Sequence, residues 1–150
     1  MTATNHTITG ILIAAVVKEP AVALPAALAS HLLLDMLPHY GGKKLSQKSK
    51  RFKIMLAVDC GVAASILFLV AAAQPTGWLL MVSCGILAAS PDLLWLPNWL
   101  RMLAGKKLKP RNKLEYFLGC IQWCERPWGW IVEIVYYVAA LMLLLPRLSV

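Results

Sequence analysis

The segment Ser30-His31-Leu32-Leu33-Leu34-Asp35-Met36-Leu37-Pro38-His39-Tyr40 sets two imidazoles and a carboxylate at intervals of four residues. On a helix, that spacing puts side chains on one face. Two nitrogen donors and an oxygen suit a divalent ion, zinc first, with manganese or iron behind it. His39 keeps the interval, but Pro38 bends or ends the helix just before it. The competing reading of His31 and Asp35 is interhelical glue, with the imidazole bonded to the carboxylate or to a backbone carbonyl.

A second motif is Ser90-Pro91-Asp92-Leu93-Leu94-Trp95. Pro91 disrupts helical pairing and frees backbone carbonyls, and Asp92 follows at once. Asp92 is expected as a further metal ligand; the alternative is a cap on the next turn. Asp59 fits a ligand, a partner that orients a histidine, or a general base. Glu133 fits the base or an ion pair with Arg126. His6 stands in Thr4-Asn5-His6-Thr7, a polar start to an apolar helix, and belongs with the others only if it shares their depth.

The elements that must position these groups are apolar throughout. Of the 150 residues, 59% are hydrophobic and 15% charged, against about 45–50% and about 25% in an ordinary soluble domain. Mean hydropathy is +0.66. One small core could not bury so much apolar surface, which excludes a water-soluble globule, and the hydropathy excludes disorder. The expectation is one integral membrane domain over residues 1–150, an all-α transmembrane helix bundle.

A spanning helix needs about 20 apolar residues. Phe52 to Ala73, Trp78 to Leu96 and Trp128 to Leu145 qualify, and Ala21 to Leu37 does so if tilted. Ile8 to Val17 is shorter, so four spans plus a short first helix are expected, or five spans if that helix crosses. Leu114 to Cys124 fits an interfacial or re-entrant helix. The apolar start resembles a signal peptide but lacks a positive n-region, so no cleavage is expected.

Charge orients these segments. Fifteen Lys and Arg against seven Asp and Glu give +8, and twelve of the fifteen lie in residues 41–53 and 101–113. Two spans separate these loops, so both can lie on the cytoplasmic side of a prokaryotic inner membrane. His6, His31, Asp35, His39, Asp59, Asp92 and Glu133 then fall at similar depth on that side, with no basic residue deep in a run to neutralise the acids. Buried carboxylates without such a partner must be protonated, bonded to histidine, or bound to a cation.

Other chemistries are not supported. Cys60, Cys84, Cys120 and Cys124 lack a zinc framework and fit reduced packing residues. Phosphate-binding glycine loops and nucleophile elbows are absent. The expected partners are membrane lipids, anionic ones at the basic loops, with no nucleic acid, and a homo-oligomer is compatible with the architecture.

The His31-to-Asp35 element, the Pro91-Asp92 pair and the early His6 together resemble the bacterial and archaeal inner-membrane metal-dependent hydrolase family, the YdjM-like proteins. The resemblance covers about a third of the chain. It implies His6, His31, Asp35 and Asp92 as metal-site residues. The family's His-Arg-Gly-x-Thr-His-Ser element is missing, and the His-Asp element precedes Pro-Asp here.

The expected function is a hydrolase acting on a lipid-borne or phosphate-ester substrate at the cytoplasmic face. His6, His31, Asp35, His39 and Asp92 would hold the metal, and Asp59 or Glu133 would take the proton of a water. A metal- or proton-coupled transporter or channel would use the same acids as a relay. The nearly all-apolar outer halves of the spans argue against a through pathway. A structural membrane protein with a His/Asp site is the third reading.

Overall fold

The first helix, α1 (Ala3–Val17), is packed by others on several sides, touching the four longest apolar elements of the chain. Those partners are α2 (Pro20–Asp35), α3 (Lys50–Ala73), α4 (Trp78–Ala89) and α7 (Gly129–Leu148). The structure is a computed structural model that describes residues 1–41, 49–110 and 112–148. Lys43, Lys44 and Lys48 of the first basic loop and Arg111 of the second lie outside the described residues.

Each boundary has a local cause. The α1 helix opens on Thr2, whose hydroxyl accepts from Asn5 N (3.4 Å), and closes at Lys18 in the left-handed region. Pro20 starts α2 at the first helical position, where its missing N–H is not needed. The end of α2 falls at Asp35, short of the Leu37 suggested by hydropathy, because Pro38 disfavours helical backbone in the residue before it. Ser49 caps α3 by accepting from Phe52 N (3.1 Å). The turn before α4 uses Gln74 and Gly77, both with positive φ.

Beyond α4 the chain passes through a 3-10 segment, Ser90–Trp95, into α5 (Leu96–Leu103). Trp78–Leu103 is thus one 26-residue helical stretch that continues past the expected Leu96. Pro97 permits this by lying in the first turn of α5. Next comes α6 (Lys113–Ile121), which opens on a capping box between Asn112 and Glu115. Nine residues cannot cross a bilayer.

Two residues after α2, β1 (His39–Tyr40), pair in parallel with β2 (Glu125–Arg126) just before α7. This small bridge ties the end of α2 to the start of α7. Gly129 passes so close that an added Cβ would lie 2.2 Å from the His39 carbonyl oxygen.

Packing around α1 uses small residues. A Cβ on Gly10 would lie 2.2 Å from the Cys84 carbonyl oxygen, and one on Gly85 would lie 3.0 Å from Ile11. Close backbone approach is the usual means of helix association in lipid, where no hydrophobic force separates helix from surroundings. The polar end of α1 finds its partners inside the bundle. Thr9 bonds Tyr136 (2.7 Å), and Asn5 donates to the Glu133 carbonyl (3.3 Å).

Three helical stretches, Lys50–Ala73, Trp78–Leu103 and Gly129–Leu148, are long and apolar enough to cross a membrane. Only 11%, 22% and 17% of their most apolar windows are buried inside the protein. So much exposed apolar surface requires a nonpolar surrounding. The chain is all-α in class and a helical membrane protein. At 15 and 16 residues, α1 and α2 are shorter than a span needs.

Candidate metal centre

His6 from α1 and His31 and Asp35 from α2 meet with their ligand atoms within 4.8 Å of one another, all three buried. His6 Nε2 lies 3.2 Å from Asp35 Oδ1, and His31 Nε2 lies 3.3 Å from Asp35 Oδ2. The two imidazoles stack, with centroids 3.9 Å apart and planes at 21°. Neither ring nitrogen of His6 makes a hydrogen bond of good geometry.

The orientation of His31 follows from Pro91. In the i to i+3 pairing of the 3-10 segment, the carbonyl of Ala88 would meet the nitrogen of Pro91, which has no hydrogen. His31 takes that position instead, with Nδ1 2.8 Å from the Ala88 oxygen. A carbonyl only accepts, so Nδ1 carries a proton, and when the ring is neutral Nε2 presents a lone pair. The Leu87 carbonyl, four residues before Pro91, accepts from both the backbone N–H and the hydroxyl of Ser90, the latter at 2.8 Å.

That lone pair faces acids on two sides. Asp92 Oδ1 lies 4.0 Å from His31 Nε2, and its side chain is 19% exposed. Asp35 itself accepts from Gln122 Nε2 (3.1 Å), from the residue just past α6, and bonds the ammonium group of Met1.

The remaining expected residues surround this group. His39 lies past the end of α2, in β1, and its Nδ1 is 2.8 Å from the Leu37 carbonyl. Burial holds its imidazole below the ordinary 6.5, and the Met1 ammonium acts in the same direction. Asp59 receives the first turn of α1. Its Oδ2 accepts from Ala3 N (2.7 Å), and its Oδ1 accepts from Thr4 N (3.0 Å) and the Thr4 hydroxyl (2.6 Å). A carboxylate at a helix N-terminus both satisfies orphan N–H groups and complements the dipole.

Glu133 is buried in α7, in hydrogen-bonding range of the backbone N–H groups of Thr2 and Tyr40. Among the described residues, no ion pair joins it to Arg126. Asp59, Asp92, Glu133 and His39 share the wall of one cavity of about 580 Å³.

Gln122 and the Met1 ammonium escape the sequence reading, and the backbone carbonyl it offers His31 proves to be that of Ala88. The proline in Ser90-Pro91-Asp92 was the signal for the carbonyl; nothing local marked the other two. No family model matches the chain, and no curated protein or solved structure matches it. Fold and site together define a helical membrane protein with a buried His–His–Asp group whose donor set could hold a divalent cation.

Proposed function

We propose that the chain is a membrane-embedded, metal-dependent hydrolase acting on a lipid-borne or phosphate-ester substrate. In this reading it works at the cytoplasmic face of a prokaryotic inner membrane and is kin to the YdjM-like proteins it resembles. The observation that carries the reading is the His31–Ala88 hydrogen bond of 2.8 Å. It leaves the Nε2 lone pair 3.3 Å from a carboxylate oxygen. Two acceptors at that distance repel unless a proton or a cation joins them. Ligating histidines commonly donate their second N–H to a backbone carbonyl in this way.

Two imidazole nitrogens and one carboxylate, with Asp92 in reach as a fourth donor, suit zinc above manganese or iron. An ion held there would polarise a substrate oxygen and lower the pKa of a bound water towards about 7. Between the two candidate bases, Glu133 fits proton transfer better. Both acids line the cavity, but Asp59 accepts three hydrogen bonds from Ala3 and Thr4, whereas Glu133 is in range of two backbone N–H groups, those of Thr2 and Tyr40. His39 belongs to the cavity wall in this scheme.

The Met1 ammonium on Asp35 favours a second reading, a structural His/Asp site whose acid is neutralised by an amine. Metal content separates the two. Protein purified in mild detergent and assayed for zinc, manganese and iron should carry about one ion per chain. His31→Ala and Asp35→Ala should each remove it. A wild-type protein without metal overturns the hydrolase reading and leaves the structural one.

A further inference from the structure

The cavity beside the His–His–Asp group encloses about 580 Å³ and is lined mostly by apolar side chains. We propose that it receives one acyl chain of a phospholipid, drawn from the leaflet at the Phe52 end of α3, with the ester region of the lipid beside Asp59 and Asp92. This rests on the hydrolase reading and names the substrate class of the same site.

One wall is a stripe on α3. Phe52, Leu56, Asp59, Ala63 and Leu67 line the cavity at intervals of three or four residues, hence on one helix face. Fifteen steps of about 1.5 Å make the stripe about 22 Å long. A single leaflet of hydrocarbon is about 15 Å deep, so the slot covers one leaflet and the polar layer above it. Its volume of about 580 Å³ lies within the range of small-molecule sites.

The lining changes along the slot as an amphiphile does. Its deep end is apolar, lined by Leu67 and the half-exposed Ile86, with Ala63 and Ala64 leaving width. Asp59 stands about 12 Å from Leu67, eight residues along α3 at about 1.5 Å each, and Asp92 lines the same cavity. The α3–α4 hairpin brings Trp99 and Lys109 to the Phe52 end, with Lys109 a cation for a phosphate and Trp99 an aromatic suited to the interface. A free fatty acid fits poorly, because its carboxylate would lie level with two others. A neutral ester under an anionic head group meets neither objection.

The test uses the full chain in vesicles of phosphatidylethanolamine and phosphatidylglycerol, doped with a phospholipid bearing a diazirine at the end of its acyl chain. After photolysis, labelled residues are mapped by mass spectrometry. Label should concentrate on Ala64, Leu67 and Ile86, above the outward-facing Phe68 and Leu69. Ala64→Trp, or Ile86→Trp on the opposite wall, should cut the slot label at least about tenfold by filling the space. Label on Phe68 should persist in both, and Leu69→Trp should leave the slot label intact. Equal labelling of both faces, or slot label that survives both tryptophans, overturns the proposal. Metal is assayed on the same samples. Metal without slot label overturns the acyl-chain assignment alone, whereas slot label without metal supports it and overturns the hydrolase reading.

Discussion

His31 donates to the carbonyl of Ala88 across 2.8 Å, filling the bond that Pro91 leaves unmade. A helix break in one element thereby fixes the tautomer of an imidazole in another. The same contact aims the free nitrogen of His31 at Asp35 and Asp92.

Pro91→Ala restores the N–H and gives Ala88 a partner within its own helix. His31 then loses its orienting bond while every donor of the site is kept. Metal affinity should fall about 10- to 100-fold, the usual effect of removing such a support. Chelator competition measures it, and unchanged affinity would show that the bond to Ala88 does not set the ring.

Asp59→Ala removes the acceptors of three hydrogen bonds at the start of α1. The loss should be about 2 kcal/mol, the upper end for a helix cap. Asp59→Asn, which keeps one acceptor oxygen, should lose less. Thermal unfolding in detergent orders the two. Equal losses would mean that the carboxylate acts through charge rather than through the bonds of its oxygens.

Gly10 and Gly61 are both helical glycines with opposite expectations. A methyl at Gly10 collides with the backbone of α4, while nothing lies within 4 Å of one at Gly61. Gly10→Ala should destabilise by about 1–3 kcal/mol. Gly61→Ala should be neutral or stabilise by up to about 1 kcal/mol through helix propensity. Unfolding midpoints in one detergent decide it; a neutral Gly10→Ala would contradict the close α1–α4 approach.

His39 gives a pH signature. Its folded-state pKa lies below the ordinary 6.5, so the fold prefers the neutral ring. The resulting stability is fully present above 6.5 and is lost as the pH falls from there towards the folded value. His39→Gln should flatten the decline of the unfolding midpoint between about pH 7 and about pH 5. An unchanged slope would assign that decline to other groups.

The pairing of His31 with Asp35 was legible because helical spacing alone brings them together. Asp92 was legible through the proline before it. His6 could be linked to them only by depth, since nothing in Thr4-Asn5-His6-Thr7 separates a buried turn from an exposed one. His39 shows where spacing stops being informative: the four-residue interval continues, but α2 ends at Asp35 and the chain turns into β1.

The polar start of α1 is legible in Thr4-Asn5-His6-Thr7, but its burial is not. Hydropathy begins at Ile8, yet the helix begins at Ala3, because Asp59, Glu133 and Tyr136 satisfy its polar residues. Those partners are 55 to 128 residues away in sequence. Gln122 is equally nonlocal: the short helix α6 gives no sign that the residue after it will touch Asp35.

The contacts at the start of α1 also impose an order in time. Asp59 and Glu133 follow the residues they receive by 55 and 128 positions. At about 5–20 residues per second, a ribosome takes roughly ten seconds to travel from Asn5 to Glu133. Through that interval Asn5 and Thr9 lack the partners that α7 supplies, although α2, α3 and α4 are already made. The polar end of α1 is therefore completed only when α7 arrives, and α7 closes the bundle.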